Sequence, residues 1–402
     1  MVDPVPAARQ STRFLLLYAL AWAGSAIAYV PFLTILLPVR VSILVGEGTE
    51  VASLAYIAFA GAIAASIGHI GFGYLSDITC NRRVWIWLGL ILSCGLLFAV
   101  SRTTTLSGLV MMIICWQLAL NMMLAPLAAW AGDCVPDRQK GLLGGLMAFA
   151  PGFGALSGAV VTIPGLASAD GRLAVVALLV ACCVLPVLVI GAPSLVAEPD
   201  SPIPERAASV TQAALLDRRG SVSRMWLARL AVQIAEAALF SYLYFWFRSI
   251  DPAMSDNRTA RVFSIILLLS APIALLVGRW ADRRDRPLLP LVACAAISAV
   301  GLVGMAVART LPAAIGTYAL FGFATSVFLA LHSAQTLRVL PRPDRRGRDL
   351  GLFNLTNTVP SLIMPWFTLA LVPYFGFSGL FILFAVLAIV ASLLLAPFDR
   401  RL

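Results

Sequence analysis

The chain has 402 residues, 60% of them apolar and only 12% charged, with a formal net charge of +10. An ordinary globular domain carries roughly 25% charged residues, and a soluble chain this apolar would expose large sticky patches. A soluble fold is therefore excluded, and the sequence has to be read as membrane spans of about 20 apolar residues each.

In chain order, six spans are expected at about 14–38, 51–76, 84–101, 105–130, 141–165 and 172–194. A polar stretch follows at 195–224, with Pro202, Pro204, Gly220 and eight charges. Six further spans fall at about 225–248, 259–279, 287–308, 311–337, 348–373 and 375–397. Leu, Ala and Val dominate, without the strict alternation that marks a membrane β-barrel, so helices are expected. The expected fold is an all-α membrane protein of twelve transmembrane helices in two six-helix, pseudo-symmetric bundles. Residues 1–194 form the first bundle, 195–224 a cytoplasmic central loop, and 225–402 the second bundle.

Two short motifs recur at one offset. GYLSDITCNRR begins at Gly73, and GRWADRRDRP begins at Gly278, 205 positions later. VPDRQKG begins at Val135, and LPRPDRRG begins at Leu340, again 205 positions later. Two unrelated motifs sharing an offset of about half the chain imply that the second half copies the first. Duplicated halves in a very apolar chain point to a secondary transporter with its site between the repeats.

Orientation follows from the arginines. With the N-terminus inside, 21 of the 29 Lys and Arg fall on the inner side. Seven fall outside (Arg40, Arg102, Arg172, Arg248, Arg258, Arg261 and Arg309), and Arg229 lies within the seventh span. This positive-inside bias predicts that both termini are cytoplasmic. It also accounts for the net charge: scattered over short loops, the arginines do not build a nucleic-acid face. Lys140 is the only lysine, which points to a GC-rich bacterial genome rather than to function.

Cys94, Cys115, Cys182, Cys183 and Cys294 lie in expected spans, and Cys80 and Cys134 lie in inner loops. A disulfide framework is not expected, nor is a metal site, because both His stand far from any Cys. The apolar run after the N-terminus continues to about Pro38, too long for a signal peptide.

The repeated loops carry the first candidate residues. Gly73, Asp77, Arg82 and Arg83 lie between spans two and three; Gly278, Asp282 and Arg283 repeat them between spans eight and nine. Glycine lets two helices approach closely. The aspartates are placed to accept hydrogen bonds from a neighbouring helix N-terminus, and the arginines to stay with the lipid headgroups. Such a charge lock can hold one helix packing and release in another; the plainer reading is a topology signal. Asp133 and Arg338, at inner span ends, are candidates for gate pairing or simple solvated charges.

These loops resemble the signature between helices 2–3 and 8–9 of the major facilitator superfamily, and the resemblance covers essentially the whole chain. AGDCVPDRQKGLLGGLMAFAPGFGALSG, DLGLFNLTNTVPSLIMPWF and WLARLAVQIAEAALFSYLYFWF resemble the branch near the glycoside–pentoside–hexuronide and sucrose-type cation symporters. Trp280 and His332 depart from that pattern. Pro151, Gly152 and Gly154 loosely resemble the antiporter signature of drug exporters, although a packing kink explains them as well.

Polar groups inside spans are costly and usually face a cavity. The resemblance implies that spans 1, 4, 7 and 10 line it. Ser25 and Tyr29 share a face of span 1, and Gln117 and Asn121 a face of span 4. In span 7, Gln233 and Glu236 share a face continued by Phe240 and Tyr244. In span 10, Phe328, His332 and Gln335 fall at i, i+4 and i+7. Amides and a carboxylate beside aromatic rings suit a hydroxyl-rich ligand. Glu236 stands near the bilayer middle, the only acidic residue in a span interior. A carboxyl there that changes protonation as a cavity opens and closes is a natural proton-coupling group. It could equally pair with Arg229 or stay a protonated hydrogen-bond donor. His332 is a cavity group or a satisfied packing histidine, and His69, among glycines, is read as structural.

The expected protein is a multi-pass inner-membrane transporter, monomeric, without cofactor. Its partners are a small-molecule substrate, a coupling cation (proton, with sodium open) and the lipid bilayer. The leading reading is proton-coupled movement of a sugar or glycoside-like solute by alternating access. The alternative is proton-coupled export of a drug or metabolite. A membrane enzyme is disfavoured, since neither a nucleophile–base pairing nor a phosphate-binding glycine loop is recognisable.

Overall fold

The computed structural model describes residues 10–46, 48–191, 212–284, 288–339 and 346–399. All regular structure among these is helical. Eleven helical segments are long and apolar enough to cross a membrane.

The first segment, Thr12–Val45, is not one uniform helix. It comprises α1 (Thr12–Pro31), a π-helical turn (Phe32–Leu36) and α2 (Leu37–Val45). Pro31 and Pro38 flank the turn; each lacks a backbone N–H, so the regular ladder cannot pass through them. Ser11 caps α1 by accepting from the Phe14 N–H at 3.1 Å. The next helices are α3 (Glu50–Ile78), α4 (Arg82–Val100), α5 (Leu106–Cys134), α6 (Asp137–Met147), α7 (Ala150–Val161) and α8 (Gly171–Ile190). After the central stretch come α9 (Gln212–Ile250), α10 (Asp256–Arg283), α11 (Leu289–Val307), α12 (Leu311–Val339) and α13 (Arg346–Asp399).

The last apolar segment, Val359–Ala396, is 38 residues long. That is nearly twice a bilayer crossing of ~20 residues. Gly376, at φ 62° and ψ −168°, leaves the helical region and divides it. Only glycine adopts that conformation without strain. The segment thus holds the two final expected spans, joined at a kink rather than by a loop.

The chain divides into two compact units. One comprises Met1–Phe32 and Ile63–Glu205, the other Leu33–Ala62 and Arg206–Leu402. In the first unit α1 packs on α7 and α8, and α4 packs on α5 and α8. Small residues bring these helices together. A Cβ at Gly24 would stand 2.7 Å from Cys183 Cβ, and one at Gly154 would stand 2.9 Å from the Ala26 carbonyl oxygen. In the second unit α9 packs on α13, and α11 packs on α12 and α13. Its core gathers Met225, Ala228, Val232, Leu291, Ala295, Phe328 and Leu395.

One packing device occurs in both units. Gly89 of α4 lies against the backbone of Met123 in α5 with no room for a Cβ. Gly301 of α11 lies likewise against Phe321 of α12, where a Cβ would be 2.7 Å from the backbone nitrogen. Each unit thus joins its third and fourth spans through a glycine, as a duplicated ancestor would dictate.

Candidate substrate and coupling site

The first repeated loop forms a built charge cluster. Arg82, the first residue of α4, pairs with the Asp77 carboxylate. Its Nε–H donates to Asp133 Oδ2 at 2.8 Å, and its Nη1 donates to Ser76 Oγ at 2.8 Å. One guanidinium therefore ties the end of α3 to the end of α5, using the planar fork that suits carboxylates. Arg83 donates to the carbonyl oxygens of Leu188 and Gly191 at the end of α8, the latter at 3.3 Å. Its guanidinium also lies 5.9 Å from the Trp130 ring centroid.

Both arginines were expected among lipid headgroups; instead they bond to protein. The reason is geometric: the free carbonyls of a helix C-terminus and the aspartates lie within reach of their stems. Close by, Gln139 accepts from the Gln10 N–H at 2.8 Å and returns a hydrogen bond to the Gln10 carbonyl at 3.0 Å. Tyr18 donates to the Leu127 carbonyl at 2.6 Å.

The second loop is less fully described. A Cβ at Gly278 would stand 3.0 Å from Leu331, and a Cβ at Gly73 would stand 3.8 Å from Ala125. Arg283 is exposed. The Arg284 guanidinium lies 5.5 Å from the Trp280 ring centroid. The side chains of Asp282, Gln335 and Arg338 lie outside the described residues.

Higher in the first unit, spans two and four share a polar cluster. The His69 Nδ1 of α3 lies 3.2 Å from Asn121 Oδ1 of α5. Asn121 Nδ2 donates to the Gln117 carbonyl at 2.9 Å. That second bond sets the amide orientation, so His69 carries its proton on Nδ1 and donates it to Asn121. Gly68 allows the approach, since a Cβ there would stand 3.2 Å from Asn121 Cβ. Gln117 and Asn121 are both buried. In α1, the buried Ser25 hydroxyl donates back to the Ala21 carbonyl at 3.1 Å, while Tyr29 is half-buried.

In the second unit α9 carries the distinctive arrangement. From residue 228 to 239 most of its positions are buried. Arg229, Gln233, Glu236 and Phe240 are half-buried and fall on one helix face. Arg229 Nε–H donates to Gln233 Oε1 at 3.0 Å. Glu236 interacts electrostatically with Arg229 and with Tyr318 of α12. One and two turns beyond Phe240, Tyr244 is buried and its hydroxyl accepts from Arg248 Nη1 at 3.1 Å.

Charged groups inside a span are costly against lipid, which makes this partly accessible stripe a candidate site. The remaining span-10 candidates lie deeper. Phe328 and His332 are fully buried, with ring centroids 5.5 Å apart, and His332 Nε2–H donates to the Met225 carbonyl at 2.9 Å.

The predicted residues thus gather into three local groups: Asp77, Arg82 and Asp133; Gln117 and Asn121; Gln233 and Glu236. His69, Arg229, Ser76 and Tyr318 join them without having been assigned to the site. His69 is one residue past a glycine that permits close approach, the one local signal that could have promoted it. Among the described residues no group of three or more His, Cys, Asp or Glu could hold a metal ion.

The family described as Major Facilitator Superfamily matches residues 14–315 and 253–401. The fold is also similar to a solved crystal structure, a bacterial homolog of the human lysosomal transporter Spinster, in an inward-facing and unoccupied conformation. The likeness covers 97% of this chain and 96% of that one, with TM-score 0.71 and 12% identity, and so concerns the fold. None of the curated proteins compared matches this chain.

Proposed function

Because the chain belongs to the Major Facilitator Superfamily, and is therefore a multi-pass secondary transporter working by alternating access, we propose that it couples proton movement to that of a small polar organic solute. A sugar or glycoside-like solute is favoured. The carrying observation is Glu236, half-buried on a face of α9 that also carries Gln233 and Arg229. The substrate groups are Gln233 and Tyr244 on α9, Gln117 and Asn121 on α5, and Tyr29 and Ser25 on α1. Phe328, His332 and Gln335 of α12 complete the set.

Asp77, Arg82, Arg83 and Asp133, with Gly73 and the second-loop residues Gly278, Asp282, Arg283 and Arg338, control switching between conformations. The protein sits in a bacterial inner membrane as a monomer, with both termini and the 195–224 loop cytoplasmic, and its halves are 1–194 and 225–402.

The test is uptake into proteoliposomes under imposed pH or sodium gradients, with sugars, glycosides and amphipathic cations as solutes. Accumulation of a sugar or glycoside driven by a pH gradient alone supports the reading. Accumulation driven only by sodium overturns the proton assignment. Selective movement of amphipathic cations against a proton flux replaces uptake with export.

A further inference from the structure

The helix α10 ends differently from its counterpart in the first unit. The offset of 205 sets Arg279, Arg283 and Arg284 against Tyr74, Ile78 and Thr79 of α3, none of them charged. It also sets Arg338 against Asp133, the carboxylate that accepts from Arg82 in the first loop. Between 278 and 287 the second loop carries four arginines (Arg279, Arg283, Arg284 and Arg286) but only two aspartates, Asp282 and Asp285. Two carboxylates cannot neutralise four guanidiniums. The extra acid that serves the first loop is itself replaced by an arginine in the second.

The three arginines of α10 are exposed. Residues four apart stand one above the other on a helix, so two ridges run off the end of the span. One is Leu275, Arg279 and Arg283; the other is Leu276, Trp280 and Arg284. Both leucines are more than half exposed, and Trp280 is exposed beyond them. On the opposite side of the helix, Ala274 and Ala281 are buried. The charged end of α10 therefore continues a face that the span presents to lipid. Leucine, then tryptophan, then arginine follows the order of tail, interface and headgroup in a leaflet.

Arg279 and Arg283, one turn apart, repel each other. Neither makes an ion pair or hydrogen bond with any of the described residues. The Arg284 guanidinium lies 5.5 Å from the Trp280 ring centroid, a cation–π contact that keeps it on the same ridge. A guanidinium fork matches two oxygens of a phosphate, and basic groups at a span end attract anionic lipid. A zwitterionic headgroup would bring its own cation toward the arginines; an anionic one does not.

We propose that the loop end of α10 binds one anionic phospholipid, its phosphate held by Arg279, Arg283 and Arg284 and its chains lying along Leu275 and Leu276. The lipid supplies to the second loop the negative charge that Asp133 supplies to the first. In the proposed topology this is the cytoplasmic leaflet. The inference does not depend on Glu236 or on the solute. Arg283 also belongs to the proposed switching loop, so binding is measured apart from transport.

The test is the melting temperature of the purified full-length protein in neutral detergent at low salt. It is titrated with dioctanoyl phosphatidylglycerol, dioctanoyl phosphatidylcholine or inorganic phosphate. The expected result is saturable stabilisation by phosphatidylglycerol, at concentrations about tenfold or more below those at which the other two act. The triple variant Arg279→Gln/Arg283→Gln/Arg284→Gln should need about tenfold more phosphatidylglycerol or lose the response. Arg9→Gln/Arg13→Gln/Arg400→Gln removes equal charge elsewhere and should respond as wild type does. A second measurement survives misfolding of the triple variant. The Trp280 emission, taken as the difference between wild type and Trp280→Phe in vesicles, should be quenched more by brominated phosphatidylglycerol than by brominated phosphatidylcholine.

Equal stabilisation by the two lipids, or equal quenching by them, overturns the inference. So does an equal loss of response in both triple variants, which would reduce it to mean surface charge. Stabilisation by inorganic phosphate at the concentrations at which phosphatidylglycerol acts would assign the arginines to a free anion and overturn the lipid site.

Discussion

His69 of α3 donates through Nδ1 to the Asn121 carboxamide of α5 at 3.2 Å, and so joins the second span to the fourth. The pair makes a sharp test of whether His69 is a fastener. Interhelical hydrogen bonds in membranes contribute roughly 0.5–1.5 kcal/mol. His69→Ala should lower thermal stability by about that amount. His69→Asn, whose amide nitrogen can take the place of Nδ1, should recover most of it. Equal loss in both variants would show that the ring, not this bond, matters.

The Asp77–Arg82–Asp133 cluster predicts the reverse balance between stability and rate. Both aspartates are largely exposed, 60% and 44% at the side chain. Such pairs add only about 0–1 kcal/mol of stability. Asp77→Asn and Asp133→Asn should therefore insert and melt nearly as wild type does but transport several-fold more slowly. Asp282→Asn in the second loop should slow transport too. Normal rates in all three, and in the Asp77→Asn/Asp282→Asn double variant, would remove the switching role.

The matched glycines offer a packing test. Gly89→Val and Gly301→Val each drive a side chain into backbone of the neighbouring helix. Each should cost about 1–3 kcal/mol or abolish folding. Gly95→Ala, with nothing within 4 Å of its Cβ position, should be neutral or stabilising by up to about 1 kcal/mol. Melting temperatures of the three purified proteins decide it, and a Gly89→Val protein as stable as wild type would contradict the close approach.

Topology is tested by labelling a cysteine at position 210, on a background cleared of reactive cysteines, in intact cells and in inverted vesicles. Protection in cells and reaction in vesicles are expected from the arginine distribution. Reaction in intact cells would invert the assignment.

The helices were legible because a span must be apolar over its whole length, a signal that needs no knowledge of neighbours. A break near Gly376 was legible from length, because 38 apolar residues are nearly twice one crossing of ~20. The π-helical turn at Phe32–Leu36 was not, because Pro31 and Pro38 announce a disturbance without stating its form. Within one helix, spacing correctly placed Gln233 and Glu236 on one face. It could not tell that the Ser25 hydroxyl turns back to Ala21, nor that His332 spends Nε2 on Met225. It likewise could not find the His69–Asn121 bond, since partners on different helices leave no fixed spacing in the chain. The arginines of the first loop were read for their charge, whereas their geometry depends on helix ends that only the fold brings near.

The most direct measurement is pH-driven accumulation in Glu236→Gln, a change that keeps size and hydrogen bonding but removes the titratable proton. It is made on a solute that wild type accumulates, beside gradient-free exchange and thermal stability. Arg229→Gln and the double variant complete the set. The predicted result is a folded Glu236→Gln protein that still exchanges solute but no longer accumulates it against a gradient. If Glu236 serves only as partner to Arg229, the single variant loses stability, because a charge is left without its partner, and the double variant regains much of it. Retained pH-driven accumulation in a well-folded Glu236→Gln protein would contradict the coupling role.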